Sequence, residues 1–138
     1  MVSKELVFID TSAFKAIIDK NDDFHNQAVK IWDLLCAQEA VLVTTNYILD
    51  EAFTLIRVRC GIRVVEKFRE ILANSTPALK IIRITVEDES KAWEWFNKDW
   101  KKLSFTDCTS FSAMSRLKID KVVSFDKHFQ RAGWKLVK

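Results

Sequence analysis

Four acidic residues of this chain, Asp10, Glu51, Asp107 and Asp126, stand where side chains could do chemistry. Asp10 and Asp126 each follow directly on a short apolar run. Glu51 lies early in the helical pattern after the second apolar run, and Asp107 opens the helical pattern before the fourth. The carboxyl ends of parallel strands meet at one edge of a sheet, where ligands bind. The four acids could therefore converge there.

Clustered carboxylates favour a particular chemistry. They repel one another and take up protons unless a cation neutralises them. An all-oxygen site with few or no histidines suits Mg²⁺ or Mn²⁺. Such an ion activates water and stabilises charge on a phosphate, so the cluster favours phosphodiester hydrolysis.

Each acid also has a purely structural explanation. An aspartate between a strand and a helix is a preferred N-cap, which would account for Asp10 and Asp126. Ser104 and Asp107 have the spacing of a capping box, and Glu51 could be a solvated helix carboxylate. The residues alone leave the metal site and the caps as open alternatives.

Composition excludes several other classes of protein. The chain has 138 residues, 49% of them hydrophobic, a net charge of +3 and only 2 glycines, Gly61 and Gly133, far apart in sequence. The glycine-rich phosphate cradles of nucleotide-binding folds are therefore excluded, and we expect no nucleotide cofactor. Three cysteines without a CxxC pair indicate reduced thiols, and no apolar run suits a signal peptide or membrane span. We expect a cytoplasmic protein with no membrane partner.

Apolar runs and helical stripes alternate along the chain. Strands are predicted at 6–9, 40–43, 79–84, 122–125 and 134–137, the third preceded by Pro77. Helical stripes lie between them, with two helices after the second strand. The alternation predicts an α/β fold in one domain, residues 1–138, with a central parallel sheet of about five strands and helices on both faces.

The tryptophans between residues 93 and 100 lead to a separate prediction. A helix is expected from 86 to 100, with Trp93, Phe96 and Trp100 on its buried face. Trp95 lies two positions from Trp93 and should point about 200° away. We expect Trp95 to be buried under a loop or to contact a partner.

The stretches that contain the four acids resemble the PIN-domain ribonucleases, particularly the toxins of VapBC-type toxin–antitoxin pairs. They are FIDTS at 8–12, VTTNYILDE at 43–51, LSFTD at 103–107 and VSFDKHF at 123–129. With the order of the elements and the length, the resemblance covers nearly the whole chain.

The resemblance assigns roles to the acids. It implies that Asp10, Glu51, Asp107 and Asp126 hold Mg²⁺ or Mn²⁺ and activate water to cut RNA, with Asp10 and Asp107 as the central ligands. Asp50 competes with Glu51 for its position, but one helical step turns it by about 100°, and the family alignment favours Glu51.

It also implies supporting residues. Ser12 and Thr106 would support the site through their hydroxyls, and Asn46 would orient the turn after the second strand. Ser124 stands where many members have threonine. His25 and His128 lack the spacing of a zinc site, so surface or packing roles are expected for them.

The implied partners are an RNA substrate, an antitoxin protein and a second copy in a homodimer, for which Trp95 and the paired helices after Glu51 are candidate surfaces. Arg57, Arg59 and Arg63 could form a basic rim for RNA or be ordinary solvated residues of a helix end. The alternatives are an RNA-processing PIN nuclease that is not a toxin and a catalytically silent PIN-like binding or scaffold module. A haloacid-dehalogenase-like phosphatase is disfavoured, because Ser12 replaces its second acid.

Overall fold

The computed structural model describes residues 4–74 and 78–138, so Pro77, which precedes the third predicted strand, lies outside the described residues. The strands are β1 (Leu6–Ile9), β2 (Val41–Thr45), β3 (Leu79–Ile82), β4 (Lys121–Val123) and β5 (Lys135–Leu136). The helices are α1 (Thr11–Ile18), α2 (His25–Ala37), α3 (Asn46–Cys60), α4 (Ile62–Ala73), α5 (Val86–Phe96), α6 (Phe105–Leu117) and α7 (Lys127–Arg131). None of the helices in these ranges combines the length and apolar character needed to cross a membrane.

The strands form one parallel sheet in the order β3-β2-β1-β4-β5. The apolar residues of the central strand, Val7, Phe8 and Ile9, are fully buried. They form a continuous run rather than an alternating one because both faces of the strand are covered. The predicted five-stranded parallel α/β fold is confirmed.

Register places two acids side by side. Ile9 of β1 pairs with Val123 of β4, and the Asp10 N–H donates to the Val123 carbonyl at 3.3 Å. Because both strands end here and helices begin just beyond, Asp10 and Asp126 lie at the same edge of the sheet. This edge positions the candidate site.

The predicted boundaries of α5 and its buried face were wrong. The helix ends at Phe96, not at residue 100, and Trp93 is 52% exposed. Trp95 instead packs inward, with ring centroids 5.1 Å from Phe111 and 5.9 Å from Trp134. Trp95 is therefore a partly buried residue packed against the core rather than a free contact surface.

An ion pair between the buried Asp88 and the exposed Arg116 explains the error. The inward face of α5 consists of Asp88, Ala92 and Trp95, at positions i, i+4 and i+7. Arg116 of α6 donates to both Asp88 carboxylate oxygens, at 3.0 and 2.8 Å. Although burial opposes ionisation, these hydrogen bonds hold the pKa of Asp88 below its usual value. A charged residue thus occupies a core position that hydrophobic periodicity assigned to solvent.

Candidate metal and catalytic site

One cavity of about 280 Å³ at the carboxyl edge of the sheet, which we call the acid cavity, contains all four predicted acids. Its lining residues are Asp10, Thr11, Ser12, Glu51, Leu55, Lys102, Ser104, Asp107 and Asp126. Two acids come from the ends of β1 and β4, one from α3 and one from the start of α6. The topology thus brings together residues that are far apart in sequence.

Asp10 is the most deeply buried of these acids, at 3% exposure. Its Oδ1 caps α1 by accepting from the Ala13 N–H at 2.8 Å and also accepts from the Ser12 hydroxyl at 2.8 Å. Its Oδ2 accepts from the Ser124 hydroxyl at 2.5 Å. Burial raises the pKa of Asp10 to about 6 even though these hydrogen bonds oppose the shift, and the charge of Asp126 adds to it. The carboxylate is held firmly, but its charge is poorly compensated.

The ionised form of Asp107 is disfavoured for the same reasons as that of Asp10. Its N–H donates to the Ser104 hydroxyl at 3.0 Å and its Oδ2 accepts from the Ser104 N–H at 3.3 Å, which is the predicted capping box. Burial and the neighbouring charge of Asp126 raise the pKa of Asp107 to about 7, with Asp10 and Glu51 contributing. Three other acids therefore act on one carboxyl.

Capping and clustering coexist in this site. Asp10, Asp107 and Asp126 each take part in a helix cap, as the structural explanation predicted, and each also lines the acid cavity. The caps lock the carboxylates at helix N-termini. The caps therefore position the carboxylates for the site, and the capping role does not exclude metal binding.

The donor set fits a hard divalent cation. Within the described ranges, neither Asp10 nor Asp107 has a lysine or arginine nitrogen within 4.0 Å, whereas the buried Asp88 has Arg116. Converging oxygens with raised pKa values and no basic partner are the donors that Mg²⁺ or Mn²⁺ would neutralise.

Comparison with known proteins identifies the family. The profile of the PIN domain matches residues 7–135. The chain belongs to the PIN-domain family. The 23S rRNA-specific endonuclease VapC20 of Mycobacterium tuberculosis is 32% identical over 130 residues, which are 94% of this chain and 95% of VapC20.

Solved structures agree with this assignment. The crystal structure of M. tuberculosis VapC20, described as a sarcin–ricin loop cleaving toxin, matches 93% of this chain and 95% of its own, with 31% identity and a TM-score of 0.82. VapBC2 from Rickettsia felis, bound to a promoter DNA fragment, matches 96% of this chain and 97% of its own with a TM-score of 0.70, but its 13% identity shows only a common fold. The predicted family and enzyme class are confirmed, since the chain is a homologue of VapC endonucleases.

Glu51 and Asp50 differ in whether they line the acid cavity. Glu51 is half-buried and lines the acid cavity. Asp50 is exposed and, in the described part of the chain, lines only a neighbouring cavity that Glu51 also borders. The geometry agrees with the choice of Glu51 over Asp50.

The predicted supporting residues Asn46 and Thr106 differ in how their positions relate to the acid cavity. The Asn46 Oδ1 accepts from the Ile84 N–H at 2.9 Å, which ties the start of α3 to the segment after β3 and agrees with an orienting role. Thr106 lines the neighbouring cavity and, within residues 4–74 and 78–138, is not part of the acid cavity. Any support that Thr106 gives the acids passes through Glu51, which borders both cavities.

Ser124 and His128 contact or approach the acids in ways that the sequence did not predict. Ser124 bonds Asp10, and its oxygen also accepts from the Asp126 N–H at 3.0 Å. His128 is buried, and one of its ring nitrogens and one carboxylate oxygen each from Asp107 and Asp126 lie within 4.8 Å of one another. The only sequence signal for His128 is its position two residues after a helix-capping acid.

Proposed function

We propose that this chain is a divalent-metal-dependent endoribonuclease and the toxin of a toxin–antitoxin pair. The observation that carries the proposal is the convergence of four carboxylates in one cavity of a VapC homologue. A catalytically silent scaffold would have no need to retain buried acids with raised pKa values.

Asp10 and Asp107 are proposed as the central ligands of Mg²⁺ or Mn²⁺, with Glu51 and Asp126 completing the set. The bound ion would lower the pKa of water and stabilise charge on the phosphate. The carboxylates orient the attacking water and accept its proton. The water oxygen bonds to phosphorus, the bond to the leaving ribose oxygen breaks, and that oxygen takes up a proton.

Ribosomal RNA is the proposed substrate class. VapC20 is named for its action on 23S rRNA, and it is similar to this chain along nearly its whole length. A cytoplasmic location follows from that substrate. A small antitoxin is the proposed inhibitor, since the fold is shared with VapBC2, and residues 1–138 are proposed to act as one PIN unit.

A homodimer is also proposed, with a different α5 contact from the Trp95 that the sequence indicated. Trp95 is packed against the core, while Trp93 and Phe96 of α5 are 52% and 37% exposed and stack edge to face at 5.3 Å. This aromatic pair replaces Trp95 as the candidate contact.

Cleavage of an RNA that contains the sarcin–ricin loop, with Mg²⁺ or Mn²⁺, tests the proposal. Asp10→Asn and Asp107→Asn should each lose about 100-fold or more in kcat, because each removes a charged ligand. Glu51→Gln should behave similarly, whereas the adjacent Asp50→Asn should keep nearly full activity.

Two outcomes would count against the enzyme. If Asp10→Asn and Asp107→Asn cut RNA as fast as the native chain does, these two acids take no part in the mechanism. Failure of the folded native chain to bind Mn²⁺ in a calorimetric titration would favour the scaffold instead.

A further inference from the structure

A second cavity, of about 480 Å³, adjoins the acid cavity along α3. We call it the flanking cavity. Its lining residues are Asp50, Glu51, Thr54, Leu55, Val58, Arg59 and Thr106. Glu51 and Leu55 line both cavities, so the two are separated only by these side chains. The neighbouring nucleotide of a strand whose phosphate bound at the acids would therefore meet the flanking cavity if the strand ran along α3.

The lining combines the groups that a nucleotide requires. Leu55 and Val58 offer apolar surface, and Val58 is 75% exposed although it belongs to a helix with a buried face. Thr54 and Thr106 offer hydroxyls, and Arg59 offers a guanidinium. Unpaired RNA is recognised by contacts with splayed bases and by cations on its phosphates.

The structure separates Arg59 from the other arginines of the predicted basic rim. Arg57 and Arg59 both lie in the last turn of α3, where either would favour the helix dipole. Two residues turn the helix by about 200°, and Arg59 lines the flanking cavity whereas, among the described lining residues, Arg57 does not. Within those residues Arg59 also forms no ion pair within 4.0 Å, so its charge is free for a ligand.

Position along the helix defines which phosphate Arg59 can reach. Eight residues separate it from Glu51, which is about 12 Å along the axis. Asp50 and Glu51 make the end of the cavity near the acids repulsive to a phosphate, whereas Arg59 makes the far end attractive. Arg59 is thus placed for a phosphate neighbouring the scissile one.

We propose that the flanking cavity binds the RNA nucleotide next to the scissile phosphate, with Arg59 contacting a neighbouring phosphate. The proposal rests on the proposed nuclease function. It makes Arg59 a substrate-binding residue that takes no part in metal binding or in the chemical step.

Arg59→Ala is compared with Arg57→Ala, which removes the same charge from the same exposed helix turn. Arg59→Ala should raise KM for RNA about tenfold, the effect of one charge-assisted contact, with kcat within about twofold. It should also reduce the dependence of log kcat/KM on log salt concentration by about one, whereas Arg57→Ala leaves both unchanged. Mn²⁺ affinity and melting temperature should match the native chain in both variants.

Shortened RNAs provide the second arm. One set of RNAs lacks the nucleotides 5′ of the cut, and the other lacks those 3′ of it. Only one of the two sets should bind the native chain more weakly than the full-length RNA does. That loss of affinity should be small for Arg59→Ala, because the contact is already missing.

The outcomes are separable. If the native chain cuts RNA but Arg59→Ala and Arg57→Ala give the same KM, the flanking cavity is not a substrate subsite. If Arg59→Ala alone changed the sedimentation coefficient, the cavity would be a contact between protein chains, and the proposal would be overturned. If the native chain cuts no RNA, both the nuclease function and this inference fail.

Discussion

The Ser124 hydroxyl donates a hydrogen bond of 2.5 Å to Oδ2 of Asp10 and accepts one of 3.0 Å from the backbone N–H of Asp126. One side chain thus joins the two acids at the ends of β1 and β4. Ser12 reinforces the link, because its hydroxyl donates to Asp10 and accepts from the Phe125 N–H at 2.9 Å. The acids at these two strand ends are therefore parts of one hydrogen-bonded unit.

Replacing Ser124 by alanine should weaken metal binding. Its hydrogen bond favours the ionised form of Asp10, so Ser124→Ala should raise the pKa of Asp10 further above about 6. A rise of one unit lowers Mn²⁺ affinity by about fivefold at pH 6 and by about tenfold at pH values well below that pKa. Calorimetric titration at pH 6 and pH 8.5 checks this, because affinity should recover once Asp10 ionises.

Two companion variants separate this effect from general packing damage. Ser124→Thr keeps the hydroxyl and should retain Mn²⁺ affinity. Ser112→Ala removes another buried serine, whose hydroxyl bonds only the Cys108 carbonyl among described residues, and should not alter it. Equal Mn²⁺ affinity of Ser124→Ala and the native chain at pH 6 would contradict the proposed coupling.

Asp107→Asn should stabilise the metal-free protein at high pH. The folded chain holds a proton on Asp107 up to about pH 7, whereas the unfolded chain releases it near 3.8. The folded state then binds more protons, so stability falls as pH rises from about 4 to 7, and the full penalty persists above. Asparagine removes a penalty of about 1 to 3 kcal/mol, which allows for partial solvent screening.

Thermal unfolding in a chelator at pH 4 and pH 8 measures this effect. Asp107→Asn should melt roughly 3 to 10 °C above the native chain at pH 8 and close to it at pH 4. Asp88→Asn should show the opposite sign at pH 8, because it breaks an ion pair with Arg116 that holds the pKa of Asp88 low. A native chain more stable than Asp107→Asn at pH 8 would be the contrary result.

Sequence reasoning located the acids because their positions depend on topology. Asp10 and Asp126 follow strands, and Asp107 opens a helix, so parallel strand order alone brings them to one edge. Thr106 lines the flanking cavity, not the acid cavity that Asp107 lines, because adjacent residues on a helix point about 100° apart. The role of Ser124 depends on the register of β1 against β4, which periodicity does not specify.

Substitutions of the two α5 tryptophans test which of them faces the core. Trp95 packs among Phe111, Trp100 and Trp134, so Trp95→Ala should lower the free energy of unfolding by about 3 kcal/mol. Trp93→Ala should cost less than about 1 kcal/mol, since that ring is 52% exposed. Denaturant unfolding measures both, and equal losses would restore the original assignment of faces.

The same variants examine the proposed dimer. Trp93→Ala should shift sedimentation toward the monomer if the Trp93 and Phe96 pair forms the contact. Lys91→Ala, an exposed change on the same helix, serves as its control. A native chain that sediments as a monomer at high concentration would contradict the dimer itself.

Lys102 should act on metal and RNA in opposite directions. It is the basic residue among the described lining of the acid cavity, and its backbone adopts a left-handed conformation with φ of 63°. Its ammonium repels a cation held by the acids but attracts a phosphate that approaches them. Lys102→Ala should therefore bind Mn²⁺ equally or more tightly while KM for RNA rises by about tenfold. Lys101→Ala removes the adjacent exposed charge and should change neither quantity, and a matching rise in KM for both variants would show that only overall charge matters.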